Sequence, residues 1–479
     1  MKIELMNGKT KNEIEKRTRL VATAGQISHS EEELLDLYKI RKEYDDNIKA
    51  IGRIVGSGHT SITEHDQLTF FITEVTPVIE QVLIGQRLAS FTIKSRRYVD
   101  FSNSGFYAPD FSYLKNHKDI EKNYKNHMNY LFEAYSKMTE LGVPKEDARF
   151  ILPYCFHSQI AMSLNTRSLI KLIEYCTTSN ISQIEEVKEF GLKMLEIAKE
   201  KVPYYKKTYE KLEKQIEEQN AYQDKLSFLD KYHNGKYQIL KQANLISVQT
   251  DYDRYPMSKL DRTIIVSYIM NRYQIDFEKA NKYYKKLTDQ EKEQIMDAVC
   301  MGKENRELEQ VSFKFELPTT LAGLTHLTRH RIHSLLIPDF LPMYNINNHI
   351  IPETIKEKCL ETYEDAIKKN VEMYKELKQM GVKEKDLVYF NLSGTMINVS
   401  TNVNGRELML ISRLRCCNRA QWEVRELLNQ MVSQVRNESE LYANYLGAPC
   451  AIEGICPEGK HSCGKPQERT NQYILKRGN

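Results

Sequence analysis

Four long stretches of the chain carry apolar residues at helical spacing: 30–55, 120–142, 184–201 and 355–381. Two shorter runs, "DQLTFFITEV" (66–75) and "EQVSFKFELP" (309–318), alternate apolar and polar positions, are rich in Phe and Thr, and read as strands. The pattern predicts a mixed α+β fold in which helix dominates.

The two strands open an internal repeat. "GQRLASFTIKSRRY" (85–98) and "RHRIHSLLIPDFLP" (329–342) each follow their strand after a short apolar, helix-like segment. Further on, "LNTRSLIKLIEYC" (164–176) matches "VNGRELMLISRLRC" (403–416), and "SQIEEVKE" (182–189) matches "AQWEVREL" (420–427). The offsets are 244 residues at Arg87/Arg331, 239 at Asn165/Asn404 and 238 at Gln183/Gln421. Motifs that keep both order and spacing in this way point to a duplication. The polar, charged stretch 206–238 reads as the end of a helix followed by a linker, which divides the chain into copy one (1–215), linker (216–238) and copy two (239–479). At 479 residues the chain exceeds what one hydrophobic core usually supports, in keeping with that division.

Composition narrows the function classes. A chain 41% hydrophobic and 28% charged, with no apolar run long enough to span a bilayer, is an ordinary globular protein and predicts no membrane partner. The polar start "MKIELMNGKTKNEIEKR" has no apolar export region, so a cytoplasmic location is expected. The nine cysteines, odd in number and scattered, then read as reduced thiols. A net charge of +4 is too weak to predict nucleic-acid binding, but it is compatible with a local pocket for a small anion.

Several motifs carry chemistry. Asn165-x-Arg167 and Asn404-x-Arg406 each open an amphipathic helix, where amide, guanidinium and backbone donors can meet an anionic or planar group. Taken alone, such a motif does no more than cap a helix and form a surface ion pair. Arg415 lies 11 residues beyond Asn404, about three turns on, and points to nearly the same side. "GHTSITEH" (58–65) gathers His59, Ser61, Glu64 and His65 before a strand; the spacing matches no standard zinc pattern and suits polar recognition of a heterocycle better. Ser95, Arg96 and Arg97 place a hydroxyl beside adjacent guanidinium groups, a combination that grips phosphate. Arg149 directly precedes an apolar run. The tail holds Cys450, Cys456, His461 and Cys463 without a CxxC knuckle; reduced cysteines and no metal are expected there.

Together these motifs resemble the flavin-dependent thymidylate synthases, the family distinct from the cysteine-dependent enzyme. Its signature runs Arg-His-Arg, then Ser after seven residues, then Arg-Tyr, between an upstream H-x-T/S-x-x-E-H element and downstream N-x-R and A-Q-W-E elements. Family members are chains of about half this length that form homotetramers with shared active sites, so the resemblance implies two fused copies, each with a small antiparallel sheet. It also implies FAD-dependent methylation of dUMP to dTMP, with methylenetetrahydrofolate as one-carbon donor and NADPH as reductant.

The copies depart from the signature in opposite ways. Copy one keeps "GHTSITEH", Ser95-x-Arg97-Tyr98 and Arg149, but has Gly85-Gln86-Arg87 for Arg-His-Arg and Cys176 where copy two has Arg415. Copy two keeps Arg329-His330-Arg331, Asn404, Arg406 and Arg415, but has Asp339 for Ser, Leu341-Pro342 for Arg-Tyr and Val388 near the place of Arg149. The resemblance therefore implies a composite site. Ser95, Arg96, Arg97, Arg149, Arg329 and Arg415 would hold dUMP, with Arg329 and Arg415 the catalytic pair; His59, Ser61, Glu64, Arg329, His330, Arg331, Asn404 and Arg406 would hold FAD. Two chains would form a homodimer that is a pseudo-tetramer. The family's Asn-Glu before the Ser is replaced by Thr92-Ile93 and by Leu336-Ile337. That difference keeps in view a flavoenzyme that methylates UMP or hydroxymethylates a pyrimidine nucleotide, and a non-catalytic nucleotide-binding descendant.

Overall fold

The computed structural model describes residues 1–218, 238–250, 260–303, 305–338 and 346–465. Two four-stranded antiparallel sheets organise them, and both have the same strand order. The first runs β1 (Lys2–Leu5), β2 (Gln67–Val75), β4 (Ser158–Asn165), β3 (Ala89–Ile93); the second runs β5 (Asn244–Gln249), β6 (Ser312–Thr320), β8 (Met396–Asn404), β7 (Ser334–Leu336). In register, Gln67 faces Asn165 and Ser312 faces Asn404, so each central pair delivers the chain to the asparagine of the N-x-R motif. The alternation read from sequence is real. Leu68, Phe70 and Ile72 of β2, like Phe313, Phe315 and Leu317 of β6, are at most 1% exposed, and each contributes about 1.5–3 kcal/mol by leaving water.

Three of the four expected helices form close to their predicted bounds, as His117–Glu140, Glu185–Lys201 and Leu360–Gln379, the last preceded by a short helix Glu353–Lys358. The fourth is broken: 30–55 becomes Leu34–Ile40 and Tyr44–Gly56. The cause is Arg41, whose side chain reaches the side-chain oxygens of Gln26 and Asn47 while the Asn47 amide caps its carbonyl, which folds the chain back at the break. Strands β1 and β5 lie at sheet edges, and the alternation of "KIEL" in β1 is too short to stand out in the sequence. Among the described residues, no helix is long and apolar enough to cross a membrane.

The chain divides into two compact units. The described parts of Met1–Lys236, Phe340–Asn347 and Ile351–Gly394 form one, and those of Tyr237–Asp339, Asn348–Ile350 and Thr395–Asn479 form the other. Residues 219–237, the bulk of the expected linker, lie outside the described residues. Sequence copies and compact units are thus different partitions, because Ile351–Gly394 of copy two packs in the first unit.

Within that unit, the helices His117–Glu140 and Leu360–Gln379 lie together, joined by His127 Nε2 and Asn370 Oδ1 at 2.9 Å. Each ends at a glycine in the left-handed region, Gly142 at φ +80° and Gly381 at φ +90°, where a side chain would strain the backbone. The segments that follow form a reciprocal ladder: Tyr154 N–H donates to Asn391 O at 2.8 Å, and Ser393 N–H donates to Leu152 O at 2.9 Å. Residues at the repeat spacing therefore meet each other as the same surface used twice, the pattern of a two-fold interface.

Candidate functional site

Each copy fixes the start of its post-strand helix with a buried carboxylate. In the first unit, Glu186 accepts from Thr76 N at 3.0 Å and Thr76 Oγ1 at 2.6 Å, and Tyr389 Oη adds a third hydrogen bond at 3.0 Å. In the second, Glu423 accepts from Thr320 N and Oγ1, both at 2.6 Å. A Cβ at Gly323 would lie 2.5 Å from Thr319 Oγ1 and 2.7 Å from Glu423 Oε1, so only glycine fits beneath this latch. The latched helices, Pro77–Ile84 and Leu321–Leu327, lead directly into Gly85-Gln86-Arg87 and Arg329-His330-Arg331. Burial pushes the Glu186 carboxyl up to about 7, against the pull of its hydrogen bonds.

The N-x-R motifs are also built alike. The Asn165 side chain caps Thr166–Thr178 by accepting from Ser168 N, and Asn404 caps Gly405–Arg415 by accepting from Glu407 N, both at 2.8 Å. Arg167 pairs with Glu64, and Arg406 pairs with Glu309 at 2.8 Å. Capping and pairing are therefore the local work of these residues in both copies. Upstream of Glu64, His59 and Ser61 are exposed on the turn before β2.

In the first unit the chain leaves β3 into a tight turn, with Val99 N–H donating to Ser95 O and Arg97 N–H donating to Ser95 Oγ. The two adjacent arginines then part. Arg96 is buried, and its guanidinium forms a 2.9 Å ion pair with Glu80, which is fully buried. Arg97 is half-buried and pairs with Glu146 Oε2 at 3.0 Å. Arg149, 2% exposed, donates from Nε to Glu146 O at 2.9 Å. Glu146 thus gathers Arg97 and Arg149, and its Oε1 is buried without a hydrogen-bond partner among the described residues.

In the second unit, His330 is buried between the latched helix and the end of Gly405–Arg415. Arg415 Nε–H donates to His330 Nε2 at 3.0 Å, so the imidazole proton sits on Nδ1, which faces Glu407 Oε1 at 3.9 Å. Burial first, then the charge of Arg415, with His333 and Arg329 adding, pushes His330 down to about 3. The ring is neutral at working pH and acts as an acceptor that sets the plane of the Arg415 guanidinium. Arg329 and Arg331, on either side of it, are exposed. Asp339 and Leu341-Pro342 lie outside the described residues.

At the place of Arg415, copy one has the fully buried Cys176, whose thiol burial pushes well above its ordinary value. Cys155 is likewise pushed up to about 12. Neither is a thiolate nucleophile.

A family model described as thymidylate synthase complementing protein matches residues 11–204 and again residues 257–439. The chain belongs to this family. It is a tandem member of an enzyme family, with one domain copy in each matched segment. The flavin-dependent thymidylate synthase of Clostridium tetani is 30% identical over 212 residues, which cover 40% of this chain and 84% of that protein. The protein of the same name from Thermococcus onnurineus is 31% identical over 193 residues, covering 39% and 77%. Among solved structures, a UMP/dUMP methylase PolB from Streptomyces cacaoi bound with 5-Br dUMP aligns with TM-score 0.35 and 18% identity over 43% of this chain and 94% of that one.

Proposed function

We propose that this tandem family member methylates dUMP to dTMP, with methylenetetrahydrofolate as one-carbon donor and NADPH as reductant, at a composite site that takes residues from both copies. The observation that carries the reading is complementary retention: Arg97 and Arg149 are gathered in the first unit, while Arg329, His330, Arg331 and Arg415 stand in the second. Ser95, Arg97 and Arg149 would hold the substrate phosphate, and Arg96, ion-paired to Glu80, would anchor their loop. Arg329 and Arg415 would face the pyrimidine. There Arg415, its plane set by neutral His330, favours the ionised ring by placing positive charge beside it.

The donor set also fits a flavin dinucleotide. Exposed guanidinium groups at Arg329 and Arg331 match its pyrophosphate, and exposed His59 and Ser61 offer a ring nitrogen and a hydroxyl for its heterocycles. Glu64, His330, Asn404 and Arg406 complete the residues that would hold it, two of them already fixed by a cap and an ion pair. When bound, FAD supplies the hydride that completes the methyl group. The protein's part is to bind, orient and polarise. Two chains pairing as a homodimer would reproduce a four-copy assembly with half its sites complete.

A bound-flavin absorbance spectrum, and tritium release from dUMP labelled at C5, test this reading; a colourless protein that takes up no FAD would sink it. Thr92-Ile93 and Leu336-Ile337, in place of an Asn-Glu pair, favour a second reading in which UMP is methylated or a pyrimidine nucleotide is hydroxymethylated. The product mass from UMP and from dUMP separates the two.

A further inference from the structure

Glu146 is held differently from the buried carboxylates of the first unit. Glu186 accepts three hydrogen bonds, from Thr76 N, Thr76 Oγ1 and Tyr389 Oη. Asp147, the residue after Glu146, accepts from Thr354 Oγ1 at 2.6 Å. Glu146 is gripped at one oxygen alone: Oε2 meets Arg97 Nη2 at 3.0 Å, while Oε1 is buried with no hydrogen-bond partner among the described residues. A carboxylate satisfied on one side is the least costly of the three to move. Its side chain is 24% exposed, which leaves it a way toward water.

The repeat points to what this carboxylate serves. At the offset of 239 residues that relates Asn165 to Asn404, Asp147 corresponds to Asp386. Both are buried and both accept from a hydroxyl, Asp147 from Thr354 and Asp386 from Tyr113 at 2.7 Å. At the same offset Glu146 corresponds to Lys385 and Arg149 to Val388, so copy two lacks the carboxylate and the buried arginine together. Lys385 pairs instead with Asp386 at 3.4 Å. A carboxylate that only held its own turn in place would be kept in both copies, as the aspartate is.

Charge then decides what an arriving anion meets. Arg96 is engaged by Glu80, and the Lys94 ammonium lies over the Phe101 ring. Arg97 and Arg149 bring two positive charges to the turn, and Glu146 cancels one of them. A phosphate monoester dianion balances two arginines by itself. With Glu146 still on Arg97, the half-buried site would carry an excess negative charge, and like charges at that range repel where water is partly excluded. We propose that Glu146 is an internal counter-anion of the arginine pair, which a phosphate monoester must displace from Arg97 in order to bind. This role rests on the assignment of Ser95, Arg97 and Arg149 as the phosphate donors in the function proposed above. Arg149 keeps its place during the exchange, because its Nε donates to the Glu146 backbone carbonyl and not to the side chain. A nucleotide has sugar and base contacts that offset the displacement; inorganic phosphate has none, so the carboxylate screens the site against simple anions.

The test titrates the full chain with inorganic phosphate and with dUMP by calorimetry. It compares the unmutated chain with Glu146→Gln, Glu146→Ala and a control, Glu384→Gln, whose carboxylate pairs with Lys378 in the same unit. Both replacements of Glu146 should tighten inorganic phosphate roughly ten-fold, the scale of removing one like charge from a partly buried anion site, while Glu384→Gln stays within about two-fold. A brace for Arg97 predicts the opposite sign, since its loss would loosen the arginine and weaken binding. Two replacements of different shape read the same charge, so if one misfolds the other decides. Unchanged or weaker phosphate binding in the Glu146 variants, no phosphate binding in any of the chains, or equal tightening in Glu384→Gln would each overturn the role. Tighter phosphate binding in a chain that releases no tritium from labelled dUMP would uphold it and sink the methylation reading instead.

Discussion

The two copies share their supports and differ in their chemistry. The threonine–glutamate latch is built at Thr76/Glu186 and again at Thr320/Glu423, and the cap with its ion pair at Asn165/Arg167 and again at Asn404/Arg406. What stands at the end of each support has diverged: Gln86 and Cys176 in copy one are His330 and Arg415 in copy two, and Arg149 in copy one is Val388 in copy two. A duplicated scaffold must keep its buried carboxylates satisfied in both halves, since an orphaned one costs about 1–3 kcal/mol or more. Ligand-facing groups carry no such constraint, so each can be lost from one half as long as the other keeps it.

The comparison breaks most visibly at the arginines. Arg97→Ala and Arg415→Ala should each lower turnover roughly 10²–10³-fold, the scale of removing one preorganised charge donor. Arg87→Ala, at the copy-one position of Arg331, should leave it within about two-fold by the same tritium-release assay. Comparable losses from both kinds of variant would contradict the division of labour.

Next in size are opposite pH dependences. Glu186 titrates higher in the folded state than in the unfolded chain, so its contribution is full below pH 4.5 and is lost as pH rises through about 7, a change on the order of 3 kcal/mol. His330 titrates lower when folded, at about 3 against 6.5, so it stabilises above 6.5 and the contribution is lost as pH falls toward 3. Denaturant titrations across pH 4–8 should show Glu186→Gln removing the first slope and His330→Gln the second; no change in either slope would refute the assignment.

Smaller still are the caps. Asn165→Ala and Asn404→Ala should each cost about 1 kcal/mol in thermal unfolding. Only Asn404→Ala should also weaken FAD binding, measured by flavin fluorescence, and Asn404→Asp should restore the cap.

The repeat was legible because strand alternation, N-x-R and the post-strand segments recur in fixed order. The pairing inside each copy was less so. Matching "SQIEEVKE" to "AQWEVREL" aligns Glu185 with Glu423, whereas Glu186 makes the equivalent latch; a one-residue slip at a helix start leaves no trace in composition. Arg96 and Arg97 read as one basic pair, yet the turn sends one to Glu80 and the other to Glu146, and neither partner is near in sequence. The helical period of 355–381 gives its apolar face but not the body it packs against, and it joins the first unit.

The most direct measurement is the number of dUMP molecules bound per chain, by calorimetric titration of the FAD-loaded protein. A composite site predicts one per chain, falling to none in both Arg97→Ala and Arg415→Ala. Two per chain, with either variant removing only one, would mean that each copy holds a site of its own and would contradict the account.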